Sequence, residues 1–102
     1  GIPDLLICDE FGVFHFVELK FLTSNGVSLQ PSQVAWLSRH QHSPSWILIK
    51  KQNKPTDEPE MFLYPASAAV DLKMDGLQSV EPLHHQKGKF NWDVLFDLIS
   101  PR

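Results

Sequence analysis

Cysteine is almost absent from this 102-residue chain: Cys8 is the only one, so no intramolecular disulfide can form. A reducing compartment, the cytoplasm, is the expected location. Cys8 lies within an apolar run and reads as a buried apolar filler. Long hydrophobic stretches are lacking too. The longest runs, Leu5 to Cys8 and Trp46 to Ile49, fall far short of the roughly 20 residues a spanning helix needs. There is no signal peptide pattern, so a soluble protein without a membrane partner is expected. Positive charge is in deficit, with Lys+Arg 9 against Asp+Glu 12 and a formal net charge of -3, which argues against a generally basic coat for nucleic acid. Nucleic acid is not excluded as a substrate, because a site that holds phosphate through a metal cation needs carboxylates of its own. Repeats and low-complexity segments are missing as well. With 42% hydrophobic and 21% charged residues, composition is that of an ordinary globular domain with a real core.

The length fits a single domain over residues 1–102, with an expected radius of gyration of about 13 Å. Residues 4–8 form a short apolar run that stops at Asp9, Glu10 and Gly12, and a second run follows from Val13 to Leu19. That is the pattern of a hairpin, whose second strand is largely apolar on both faces, as expected if it is covered on both sides. Thr23 to Gly26 are turn residues. Pro31 and Ser32 open a helix expected over about Pro31 to His42, with Val34, Trp36 and Leu37 on one face and Ser43-Pro44 as its stop. Trp46 to Ile49 and Met61 to Tyr64 read as strands, separated by the polar loop Gln52 to Glu60. Ala66 to Leu72 reads as a short helix, and Asn91 as the N-cap of a terminal helix carrying Trp92, Leu95, Phe96 and Ile99. Gln78 to Phe90 has no periodicity. The order implies an α/β fold, a small mixed β-sheet flanked by helices. Because the chain enters its first strand directly, an upstream helix is expected to be missing.

Chemistry concentrates at the hairpin. Asp4 opens the first strand and Glu18 lies near the end of the second, so antiparallel pairing brings two carboxylates together. Lys20 shares the Glu18 face. Two such carboxylates repel unless a cation sits between them, and hard oxygen ligands suit Mg²⁺ or Mn²⁺.

Gly1-Ile2-Pro3-Asp4-Leu5, Val17-Glu18-Leu19-Lys20 and Leu29-Gln30-Pro31-Ser32-Gln33-Val34-Ala35-Trp36-Leu37 resemble the motifs G-x-P-D-L, V-E-x-K and L-S-x-x-Q-x-x-W-L of the VRR-NUC branch of the PD-(D/E)XK nuclease superfamily. The resemblance covers about residues 1–50. It implies a restriction-endonuclease-like core and a Mg²⁺- or Mn²⁺-dependent endonuclease of DNA. Asp4, Glu18 and the backbone carbonyl of Leu19 would hold the metal. Lys20 would orient or activate the attacking water and offset phosphate charge, and Gln33 would face the same site. Family members commonly carry a further acid on a helix before the first motif. None precedes Asp4 here, which leaves a second metal open.

Other residues have plainer readings. Asp71-Leu72-Lys73 fits D-x-K but follows a helix-favouring Ala-rich stretch and reads as surface. His15 points away from Glu18 as a core or rim residue. His40 and His42 suit a helix end. Adjacent His84 and His85 would face opposite ways on a strand, a poor basis for zinc. Trp36 and Trp92 read as core-facing helix residues. Lys50, Lys51, Lys54, Lys87 and Lys89 form basic clusters, either a solvated loop or a rim that tracks phosphates. Small stand-alone members of the branch look like Holliday junction resolvases, so branched DNA is the expected substrate, with duplex DNA the simpler one. Two symmetric cuts then call for a homodimer, for which Trp92, Leu95, Phe96 and Ile99 could provide an apolar interface. The rival readings are a flap- or end-processing or restriction-like nuclease, and a non-catalytic DNA-binding module of the same fold.

Overall fold

The chain folds around a hairpin of β1 (Leu5–Cys8) and β2 (Phe14–Leu22), in a computed structural model that describes residues 2–100. Its turn is built by Asp9. One carboxylate oxygen accepts the amides of Phe11 (2.9 Å) and Val13 (3.0 Å), and the other pairs with His15 Nε2 at 2.8 Å. The indole Nε1 of Trp46 donates to His15 Nδ1 at 3.1 Å. An indole N–H can only donate, so the imidazole proton sits on Nε2 and points at Asp9. Burial disfavours the Asp9 carboxylate, but the hydrogen bonds from His15 and the two amides outweigh it and hold the group below its usual range. His15 is therefore a buried structural residue on the face opposite Glu18.

From β2 the chain crosses through α1 (Pro31–Arg39) to β3 (Ser45–Lys51), which pairs parallel to β2, since a parallel return needs a crossover. β4 (Glu60–Pro65) and β5 (His84–Lys87) then add antiparallel, giving the order β1-β2-β3-β4-β5. A 3₁₀ turn at Ala66–Ala68 leads into α2 (Ala69–Asp75), and α3 (Trp92–Ile99) closes the described chain. The fold is thus a mixed α/β sheet with helices on both faces. Leu37, Ile47, Ile49, Tyr64 and Leu72 form the core beneath α1 and α2, while Val17, Leu48, Leu63, Leu95 and Ile99 form the core beneath α3. Each fully buried side chain of this size contributes about 1.5–3 kcal/mol. The radius of gyration is 13.2 Å. Among the described residues no helix is long and apolar enough to cross a membrane.

Several expectations are corrected. Cys8 is exposed, not buried: β1 is an edge strand whose Leu5 and Ile7 face α3, leaving Leu6 and Cys8 on a face that α1 does not reach. α1 stops at Arg39 rather than His42, because His40 leaves the helical region (φ -110°, ψ 21°). Its ring stacks on Trp36 at 4.1 Å, and its Nδ1 lies 2.8 Å from the Trp36 carbonyl. The helix opens at Pro31 as expected, and its cap is Gln30, whose amide donates to Gln33 Oε1 at 2.9 Å. Within the segment without periodicity lies β5, four polar residues that pair antiparallel with β4. Its two histidines take separate partners, His84 with Gln86 and His85 with Glu60 and the ring of Phe62. At the terminal helix, Asn91 does accept the Asp93 amide as its cap. Trp92, however, is 47% exposed, and Leu95 and Ile99 are buried against the sheet. These last two are therefore unavailable as an interface between copies.

Gly76 ends α2 at φ +77°, and a Cβ there would lie 2.7 Å from the Asn25 carbonyl oxygen. Neither the backbone conformation nor the space admits a side chain. Gly76→Ala is expected to lower stability by at least about 2 kcal/mol, measured from the midpoint of urea unfolding.

Candidate active site

The hairpin register fixes the site. β1 and β2 pair with Leu5 opposite Val17, and Asp4 forms the bend immediately before β1. Asp4 and Glu18 consequently lie side by side at the open end of the hairpin. The Leu19 amide donates to Asp4 Oδ2 at 2.9 Å, so Leu19 turns its backbone groups toward β1. Its carbonyl, the oxygen expected as a metal ligand, lies along the same edge of β2 as its amide.

Gln33, on the first turn of α1, ties the remaining residues together. Its Oε1 accepts Lys20 Nζ at 3.1 Å as well as the Gln30 amide, and its Nε2 donates to Glu18 Oε2 at 3.3 Å. Only one amide orientation satisfies two donors on one side and a carboxylate on the other. The four expected residues, Asp4, Glu18, Lys20 and Gln33, therefore meet in one cluster, brought together from β1, β2 and α1.

Glu18 is 1% exposed, and its Oε1 has no hydrogen-bond partner among the described residues. A buried carboxylate oxygen without a partner is costly. The Glu18 pKa is raised to about 7, first by burial, then by the adjacent Asp4 carboxylate, which accepts a hydrogen bond from the protonated form and repels the charged one, with Lys20 opposing. A divalent cation suits this donor set: two adjacent carboxylates, one with an oxygen unpartnered among the described residues, beside the backbone of Leu19. The protein side chains alone make a small set, since no group of three or more His, Cys, Asp or Glu residues that could hold a metal is found among the described residues.

Asp9 and Glu10 lie at the far end of the hairpin, and Asp71-Leu72-Lys73 lies on α2, with Leu72 in the core and Lys73 Nζ bonded to the Leu29 carbonyl at 2.6 Å. Neither group joins the cluster. No family model matches the chain, and no curated protein or solved structure matches it either.

Proposed function

We propose that this protein is a Mg²⁺- or Mn²⁺-dependent endonuclease of the PD-(D/E)XK type, similar to the VRR-NUC branch, which hydrolyses phosphodiester bonds in branched DNA such as Holliday junctions. The observation that carries the reading is the convergence of Asp4, Glu18, Lys20 and Gln33 at one sheet end, with Glu18 Oε1 buried and unpartnered. Asp4, Glu18 and the Leu19 carbonyl would hold the metal, which when bound lowers the pKa of its water toward neutrality and offsets charge on the phosphate.

The chain's own residues do the rest. Lys20 presents a compact ammonium beside the carboxylates, where it attracts a non-bridging phosphate oxygen and the attacking water. Gln33 holds Nζ in that position through its amide oxygen, which is itself anchored by the Gln30 amide. Asp4 is pinned by the Leu19 N–H, so its second oxygen stays aimed at the site. In hydrolysis, water adds to phosphorus, the bond to the leaving sugar oxygen breaks, and the proton of water passes to solvent or to the leaving oxygen.

A four-way junction needs two symmetric cuts, and a homodimer with a two-fold axis supplies them. The test is incubation of the protein with a four-way junction, a flap and plain duplex in Mn²⁺, with EDTA as control. Cleavage of the junction in Mn²⁺ and none in EDTA is the expected result. Junction binding without cleavage of any substrate would favour the non-catalytic module.

A further inference from the structure

Beyond the carboxylate cluster, on the opposite face of the sheet, lies a cleft of about 760 Å³ lined by Leu19, Phe21, Lys50, Lys89, Phe90 and Trp92, among others. α3 covers the sheet around Val17, Leu48 and Leu63 but begins only at Trp92. The row at the end of β2 and β3, where Phe21 stands opposite Lys50, is consequently left open. Phe21 is 74% exposed. Exposure of so large an apolar ring beside an exposed indole marks a surface built to be covered.

The charge of the cleft selects the occupant. In a chain of net charge -3, Lys50 and Lys89 line this cleft and no Asp or Glu lines it among the described residues. An apolar protein surface would not call for that excess of ammonium groups. A polyanion with flat apolar faces would, and an unpaired nucleic-acid strand is such a ligand: bases stack on aromatic rings while phosphates meet lysines. The rings are prepared for this. Phe90 stands edge-on to Trp92, with centroids 4.8 Å apart and planes at 76°, which holds the indole in place.

We infer that this cleft is a binding groove for an unpaired nucleic-acid strand, its bases stacked on Phe21 and Trp92 and its phosphates against Lys50 and Lys89. The choice of ligand rests on the nuclease reading. It specifies the substrate further: DNA that carries an unpaired segment, as at an opened branch point.

The experiment measures binding of a short labelled oligothymidylate and of a blunt duplex by fluorescence anisotropy in EDTA, so that no cleavage is needed. Wild type is compared with Phe21→Ala, Trp92→Ala and the double variant Lys50→Ala/Lys89→Ala. Thermal melting of each variant checks that it folds, as the exposure of these side chains leads one to expect. Either ring substitution is expected to weaken single-strand binding by about 5- to 100-fold and duplex binding by about twofold or less, with Trp92→Phe restoring most of the loss. The lysine pair should weaken both and flatten the salt dependence. Absence of single-strand binding by folded wild type, or equal binding by the ring variants, overturns the groove. So does a wild-type dimer that Phe21→Ala dissociates in sedimentation, because the cleft would then be a contact between copies. Ring-dependent strand binding together with failure to cleave any DNA in Mn²⁺ upholds the groove and overturns the nuclease reading alone.

Discussion

Replacing Lys20 by alanine is expected to lower Mn²⁺-dependent cleavage of a four-way junction by about 10²–10³-fold, while the urea unfolding midpoint moves little. The reason lies in how Lys20 is held. Its ammonium donates to Gln33 Oε1, but that oxygen also accepts the Gln30 amide, and the other end of the Gln33 amide is fixed on Glu18. Removing Lys20 therefore leaves Gln33, α1 and the carboxylates in place and takes away one positive charge where negative charge develops. Lys20→Arg is expected to restore little, because a planar fork cannot occupy the position of a compact ammonium held by a single acceptor. Single-turnover rates at saturating Mn²⁺ are the measurement. A rate equal to wild type for folded Lys20→Ala would remove this residue from the chemistry, and with it the central claim of the nuclease reading.

The second large effect concerns stability. In EDTA the protein is expected to lose about 2–3 kcal/mol between pH 5 and pH 8, relative to Glu18→Gln over the same range. The carboxyl of Glu18 titrates at about 7 in the folded chain against 4.5 for an ordinary glutamate. Between those values the unfolded chain has given up its proton while the folded chain keeps it, so each rise in pH favours unfolding. The contribution is complete below pH 4.5 and is lost as pH passes 7. Asp9, whose pKa is lowered, acts in the opposite sense and only in acid, outside this window. A change of this size corresponds to a fall in the thermal midpoint of on the order of 10–20 °C for a domain of this length. Glu18→Gln removes the titration, so its melting should be nearly flat with pH and higher than wild type at pH 8. Added Mn²⁺ should raise the wild-type midpoint at pH 8 and leave Glu18→Gln nearly unchanged, as binding to the folded state alone requires. An identical pH slope for the two proteins would mean that burial and Asp4 do not govern Glu18.

How much of this was legible in the sequence follows from the type of signal each element carries. The hairpin could be read because Asp9, Glu10 and Gly12 interrupt two apolar runs, and a two-residue period then dictates which side chains share a face. α3 was legible from the Asn91 cap and the spacing of Leu95 and Ile99. β5 was not, because His84-His85-Gln86-Lys87 has no apolar alternation and owes its strand form to backbone pairing with β4. Trp92 misled for a related reason: helical spacing gives its face but not where the helix begins relative to the sheet it covers. Cys8 was misplaced because an apolar run on an edge strand looks like one in a central strand until the covering helices are known.

The sequence by itself determined that Asp4, Glu18 and Lys20 share one face of one hairpin, since strand alternation and antiparallel pairing leave side chains no other choice, and that Gln33 lies on the first turn of the following helix. Only the tertiary structure decided that α1 would bring Gln33 between Lys20 and Glu18, and that Glu18 would be sealed from water with one oxygen unpartnered among the described residues. It also decided that α3 would leave Phe21 and Lys50 uncovered. Local periodicity sets the direction of a side chain, whereas burial and partnership depend on which distant element packs over it, and that is settled by the competition among apolar faces in the folded chain.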